Sequence, residues 1–255
     1  MEQVFVYFIG TAGSGKTHLT KAFSDYLEFK KVSHIIVNLD PGADDLPYEP
    51  DVDVREYFTL DSIMEKYKVG PNGAQIIGAD LVGTIAEDLK DDIELYDAKI
   101  VLVDTPGQME LFTLRRSGEV IVRSFGRERG VMVYLFDPVV SKTPSGFISL
   151  VFTASSAVFR LNIPQILVLA KADILDENEV EKIVKWSSDP EELYSDLTLE
   201  SEKTLSLELF LMLKDVGLFR PLIPVSSMTG QGMDDIYDGI QEIFYGGEDL
   251  EKIFG

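Results

Sequence analysis

Several stretches of the chain are apolar almost without interruption and short enough to be buried strands: 4–9, 34–39, 99–103, 131–136, 165–170 and, with the loop that follows it, 222–228. Between them the apolar positions change period. In 17–30, Leu19, Ala22, Phe23, Tyr26 and Leu27 recur at three- and four-residue spacing, which predicts an amphipathic helix against a sheet. Helical patterns also cover 146–160 and a closing stretch over 231–245, with Gly246-Gly247 before a short acidic tail. Strands alternating with helices imply right-handed crossovers and a parallel sheet. The expected fold class is therefore α/β, a three-layer arrangement of a mainly parallel sheet flanked by helices. The sheet pattern stops over about 53–97, where helical stretches are expected at 54–68 and 74–90, and again over about 176–214, which is acidic and helical. Both read as helical inserts on one shared core, a single domain spanning 1–255, because no linker composition, repeat or low-complexity segment divides the chain. Gly70-Pro71-Asn72-Gly73 lies between the first insert's helices. Local chemistry predicts a tight hairpin turn there, with Pro second, Asn in a left-handed third position and Gly closing.

Chemistry enters at the strand ends. The first strand runs into Gly10-Thr11-Ala12-Gly13-Ser14-Gly15-Lys16-Thr17, and a helix follows directly. Glycines let the backbone curl round a phosphate so that its N–H groups and the positive end of the helix face the anion. In such a P-loop Lys16 reaches the β- and γ-phosphates, the Thr17 hydroxyl holds Mg²⁺, and the His18 N–H lies in line for the α-phosphate. A plain glycine-rich helix cap does not require the whole pattern. The second strand delivers Asp40-Pro41-Gly42, where Asp40 either holds or orients a metal-bound water or simply opens a turn. The strand at 99–103 delivers Asp104-Thr105-Pro106-Gly107-Gln108, the Walker B and switch pattern of GTPases. Asp104 is expected to hold Mg²⁺ through its water shell, the Gly107 N–H to sense the γ-phosphate, and Gln108 and Glu110 to orient the attacking water. The strand at 165–170 ends in Ala170-Lys171-Ala172-Asp173, close to the Asn-Lys-x-Asp sequence that reads guanine. Asp173 can accept from guanine N1–H and the exocyclic amine, whereas adenine would leave it unpaired. Ala170 stands where an Asn would tie this loop to the P-loop, so another group substitutes or guanine affinity is weaker. An ordinary strand end with solvated charges is the plainer reading. Ser227 matches the place whose backbone N–H meets guanine O6.

Composition narrows the class. The 255 residues, 45% of them apolar, suffice for one large α/β domain. The chain has no cysteine, which excludes disulfides, thiolate nucleophiles and cysteine-ligated zinc. Without a signal peptide or an apolar run near ~18 residues, the expectation is a cytoplasmic protein with no membrane association. A formal charge of −21 repels polyanions, so nucleic acid is a poor partner and a basic protein surface a better one, although the charge also serves solubility. His18, His34 and Trp186 have no partners at ligand spacing and read as packing or solvated residues.

Over its whole length the chain resembles the GPN-loop GTPases, closely the archaeal members, on Gly10–Thr17, Asn38-Leu39-Asp40-Pro41, Gly70-Pro71-Asn72, Asp104-Thr105-Pro106-Gly107-Gln108 and Lys171-x-Asp173. The resemblance implies a P-loop NTPase fold that binds GTP/GDP with Mg²⁺, and a GTP-hydrolysing homodimer whose Gly-Pro-Asn loop enters the partner's active site. It also implies an assembly role, since eukaryotic relatives act in RNA polymerase assembly and nuclear import. Dimeric ATPases of a neighbouring class carry a P-loop lysine where this chain has Thr11, so Asn72, acting across the dimer, is expected to fill that role. Arg115 and Arg116 follow the switch sequence and could serve instead, though adjacent arginines early in a helix are more often solvated or salt-bridged. A P-loop kinase of a small acceptor would need an arginine-bearing lid that the acidic insert barely supplies. A nucleotide-dependent scaffold with little hydrolysis is the remaining alternative.

Overall fold

A strand buried on both faces is stable only with a helix layer on each side. The computed structural model, which describes residues 3–200 and 204–246, has this arrangement. In chain order it runs β1 (Val4–Gly10), α1 (Lys16–Phe29), β2 (His34–Asn38), β3 (Val52–Asp53), α2 (Leu60–Tyr67), α3 (Pro71–Thr84), α4 (Ala86–Glu94) and β4 (Ile100–Asp104). There follow α5 (Met109–Thr113), α6 (Arg116–Phe125), β5 (Gly130–Phe136), α7 (Pro138–Ser141), α8 (Pro144–Leu161) and β6 (Gln165–Leu169). The described chain closes with α9 (Glu177–Ser188), α10 (Pro190–Glu200), α11 (Thr204–Asp215), β7 (Leu222–Pro224) and α12 (Met233–Tyr245). The acidic tail after Gly246 lies outside the described residues.

The strands form one sheet in the order β3-β2-β4-β1-β5-β6-β7, and every pairing is parallel. Residues alternate between its faces. Phe5, Tyr7 and Ile9 of β1 join a core with α4, α6 and α8, while Val4, Val6 and Phe8 pack towards α1 and α12. Trp186, Leu193, Leu197, Phe210 and Leu213 of the acidic segment belong to the first of these cores. Trp186 also donates to Asp196 Oδ2 at 2.9 Å, and His34 bonds Ser24 and the Val32 carbonyl, both structural roles. At 18 residues and mean hydropathy 1.2, α8 is long and apolar enough to cross a membrane, contrary to the expectation that no such run exists. Phe147, Ile148, Leu150, Val151, Ala154, Ala157 and Leu161 instead bury one of its sides in the core.

The first insert differs from its sequence pattern in four ways. A short strand, β3, adds to the sheet edge beside β2, and the expected helix start at Val54 is only a single turn of 3-10 helix over Val54–Glu56. Thr59 then caps α2 in a capping box with Ser62. The second helix is broken at Ile85 into α3 and α4. Gly70-Pro71-Asn72-Gly73 is not a turn. The chain reverses earlier, at Lys68, which is left-handed at φ 54°, and Gly70 is the N-cap of α3 with Pro71 in its first turn. Proline lacks only an N–H that the first turn does not use, so a sequence suited to a turn serves equally well as a helix start. α3 lies close to the loop after β2. A Cβ added at Gly78 would meet Pro41 Cγ at 3.0 Å and Ile63 Cδ1 at 3.3 Å, so glycine permits that approach.

Candidate active site

The parallel register aligns the strand ends. Phe8 of β1 and Asn38 of β2 both pair with Asp104 of β4, so the loops after these strands open on one edge of the sheet. β4 and β5 flank β1 on opposite sides, and the first loop therefore emerges where the strand order diverges, the usual ligand position in such sheets. Gly13 and Gly15 take left-handed backbone at φ 76° and 99°, curling the P-loop as its glycines require. Ser14 is buried beneath it.

Lys16 is buried, and its ammonium donates to the carbonyls of Gly10 (2.9 Å), Thr11 (3.0 Å) and Gly107 (2.8 Å). Burial lowers its pKa, and the carboxylates of Asp104, Asp40 and Glu110 oppose that shift. Asp40 opens the turn that its sequence allowed and also reaches the next loop. Its Oδ1 accepts from the Gly42 N–H at 2.9 Å, opening the turn, and its Oδ2 accepts from the Gly107 N–H at 3.0 Å. The amide expected to sense a γ-phosphate is thus held by a carboxylate of the neighbouring loop. Asp104 lies 2% exposed at the end of β4. Burial pushes its carboxyl up to about 6, against the hydroxyls of Tyr48 and Thr17 and the Lys16 charge, which draw it down. Tyr48 OH donates to its Oδ2 at 2.6 Å, while its Oδ1 is buried without a hydrogen-bond partner. An orphaned carboxylate oxygen beside a hydroxyl suits Mg²⁺, which takes few protein ligands and completes its octahedron with water and phosphate. Among the described residues no three His, Cys, Asp or Glu gather as a larger metal cage.

A groove of about 570 Å³ collects Gly13, Gly15, Lys16, Thr17, His18, Asp40, Gly107, Lys171, Asp173 and Ser227 from opposite ends of the chain. It also takes in Ala43, Asp45, Leu46, Thr105, Ile174 and Met228, which the sequence did not single out. At its far end Lys171 is left-handed at φ 51° and donates to the Gly13 carbonyl at 2.6 Å, tying this loop to the P-loop. Ala172 N–H donates to the Val225 carbonyl at 2.9 Å, and Ser226 Oγ accepts from Met228 and Thr229, so the loop carrying Ser227 is fixed to the loop carrying Asp173.

Other predicted residues lie apart. Gln108 and Ala12 line a smaller hollow of about 190 Å³ that shares Asp40 and Gly107 with the groove and reaches Gln75 of α3. Glu110, on α5, and Asn72, in the first turn of α3, are exposed and line neither. Arg115 pairs with Asp80 of α3, the salt-bridged role its position suggested. Tyr48 was missed. It sits in a segment without periodicity, where a lone Tyr gives no sign of burial.

A family profile described as conserved hypothetical ATP binding protein matches residues 8–246. The chain is 36% identical to a GPN-loop GTPase of Pyrococcus abyssi over 242 residues, covering 91% of this chain and 94% of that one. This chain belongs to the GPN-loop GTPase family. The crystal structure of the Pyrococcus GTPase in its apo form superposes with a TM-score of 0.86 at 33% identity, covering 96% of this chain and 99% of that one. GPN-loop GTPase 1 of Dictyostelium discoideum is 29% identical across 99% of this chain, which spans only 65% of that longer relative. As a GPN-loop GTPase the chain is a GTP-binding and GTP-hydrolysing protein, in keeping with the Lys171-x-Asp173 loop at the groove's end.

Proposed function

We propose that this protein hydrolyses GTP to GDP and phosphate as a Mg²⁺-dependent homodimer, with Asn72 of each subunit completing the active site of the other. The observation that carries the reading is a division of labour. Lys16, Thr17 and Asp40 line one groove over Asp104, whereas Asn72 sits exposed outside it at the start of a helix. Within one subunit Asn72 has no place against the groove. Across a two-fold interface each helix start can meet the same surface of its partner. The Asn72 amide offers a donor for a phosphoryl oxygen and an acceptor for the attacking water. Thr17 and Asp104 would hold the Mg²⁺, which neutralises charge on the β- and γ-phosphates. Lys16 would exchange its carbonyl partners for phosphate oxygens, and Gln108 and Glu110, which follow the switch sequence, would orient water. The cycle would serve as a switch or assembly step in the cytoplasm, on a partner whose basic surface suits the −21 charge and whose binding weakens as salt screens it.

Asn72→Ala should leave GTP affinity nearly intact and lower turnover by roughly 10²-fold, the loss typical of one positioned transition-state donor. Mixed dimers test the geometry. In a heterodimer of Lys16→Ala with Asn72→Ala, trans action leaves one site with both its own Lys16 and the partner's intact Asn72, so near-half activity returns. Activity no higher than either parent would show that Asn72 acts within its own subunit. Phosphate release that requires an added acceptor would favour a kinase instead.

A further inference from the structure

The loop between β2 and β3 carries a phenol to the carboxylate at the end of β4. Tyr48 is only 9% exposed, its ring is part of the core on the α1 side of the sheet, and its hydroxyl lies 2.6 Å from Asp104 Oδ2. The loop is fastened at both ends. Asp51 Oδ2 accepts from the Ile36 N–H at 2.8 Å, Asn38 Nδ2 donates to Asp53 Oδ1 at 2.9 Å, and Arg55 clasps Asp53 while donating to the Ala43 carbonyl at 2.8 Å. The phenol thus meets Asp104 on a loop fixed at both its ends.

We propose that Tyr48 is a positioning residue for the metal, its hydroxyl gripping one oxygen of Asp104 and so reserving the other, unpartnered oxygen for the Mg²⁺ water shell. The proposal rests on the reading of Asp104 as the metal carboxylate. A carboxylate with both oxygens free rotates between equivalent arrangements; a hydrogen bond to one oxygen selects a single orientation before the metal arrives. Ala43, Asp45 and Leu46 of the same loop line the nucleotide groove, which joins this grip to the nucleotide's own binding surface.

Tyr48→Phe keeps the ring and removes only the donor. Binding of a fluorescent GDP is titrated with Mg²⁺ and repeated in EDTA, for the wild type, Tyr48→Phe, Asp104→Asn and the double variant. We expect unchanged affinity in EDTA and a roughly tenfold rise in the Mg²⁺ concentration for half-maximal effect, the usual consequence of losing a partner that orients a metal ligand. In the Asp104→Asn background the Tyr48 change should add nothing. A wild-type Mg²⁺ response in Tyr48→Phe, or affinity lost equally with and without Mg²⁺, overturns the positioning role while leaving Asp104 in place. A wild-type Mg²⁺ response in Asp104→Asn overturns the metal reading itself. Should the phenylalanine variant not fold, Tyr48→Met fills the same space without a donor and is read in the same way.

Discussion

Asp104 shows how one residue serves the site at the expense of the fold. Its carboxyl, raised by burial to about 6 from an ordinary 3.8, prefers a proton in the folded chain more than in the unfolded one. Between those values the folded state binds more protons, so stability falls as pH rises through this window and the penalty is fully present above about pH 6. As far as this residue is concerned, the nucleotide-free protein should therefore be more stable near pH 5 than near pH 7 by about 1 kcal/mol, part of a penalty of about 3 kcal/mol over the whole window. Asp104→Asn should remove that part of the dependence, and thermal unfolding against pH for the two proteins checks it; parallel curves would refute it. A bound Mg²⁺ offsets the same penalty, because it interacts with the charged form. Lys16 follows the opposite rule. Burial favours its neutral form, and the neighbouring carboxylates Asp104, Asp40 and Glu110 oppose this.

At the scale of elements, α3 links the Gly-Pro-Asn sequence to the switch loops. Its first turn holds Asn72, its middle packs on Pro41 through Gly78, and Asp80 pairs with Arg115 ahead of α6. Close packing at Gly78 ties the helix to the loop that carries Asp40, so displacement of one reaches the other. A Gly78→Val substitution must move Pro41 or Ile63, and overpacking of this kind costs ~1–3 kcal/mol. Urea unfolding should show the lower midpoint at an unchanged slope, and an unshifted midpoint would mean that the contact yields freely. The helix also explains why Gly-Pro-Asn misleads when read locally. Its residues suit a turn and a helix start alike, and the left-handed reversal is made by Lys68, a residue with no turn preference of its own.

Across the whole molecule, the far end of the groove depends on segments far apart in sequence. Gly13, Lys171, Val225 and the loop to Thr229 are joined by the Lys171–Gly13 and Ala172–Val225 bonds, and these hold Asp173 at the groove's end. Asp173→Asn should narrow the preference for GTP over ATP in a calorimetric titration, and equal wild-type affinities for the two would remove the guanine reading. Much of this was legible from the sequence: the apolar runs that become the central strands, the glycines and Lys16-Thr17 after the first, and the acidic residues at the ends of the second and fourth. Those features are local, since burial on both faces, phosphate approach and strand termination each leave a mark in consecutive residues. Strand β3 left none, because a pairing only two residues long has no periodicity to read. Nor did Tyr48, whose burial against Asp104 depends on a loop folding back over a strand 56 positions away. The Lys171 tie to Gly13, the Asp40 grip on Gly107, and the exclusion of Asn72 from its own groove were likewise decided only in three dimensions. Each is a matter of distance and direction between loops, and residue order alone does not specify these until the parallel sheet has brought its strand ends together.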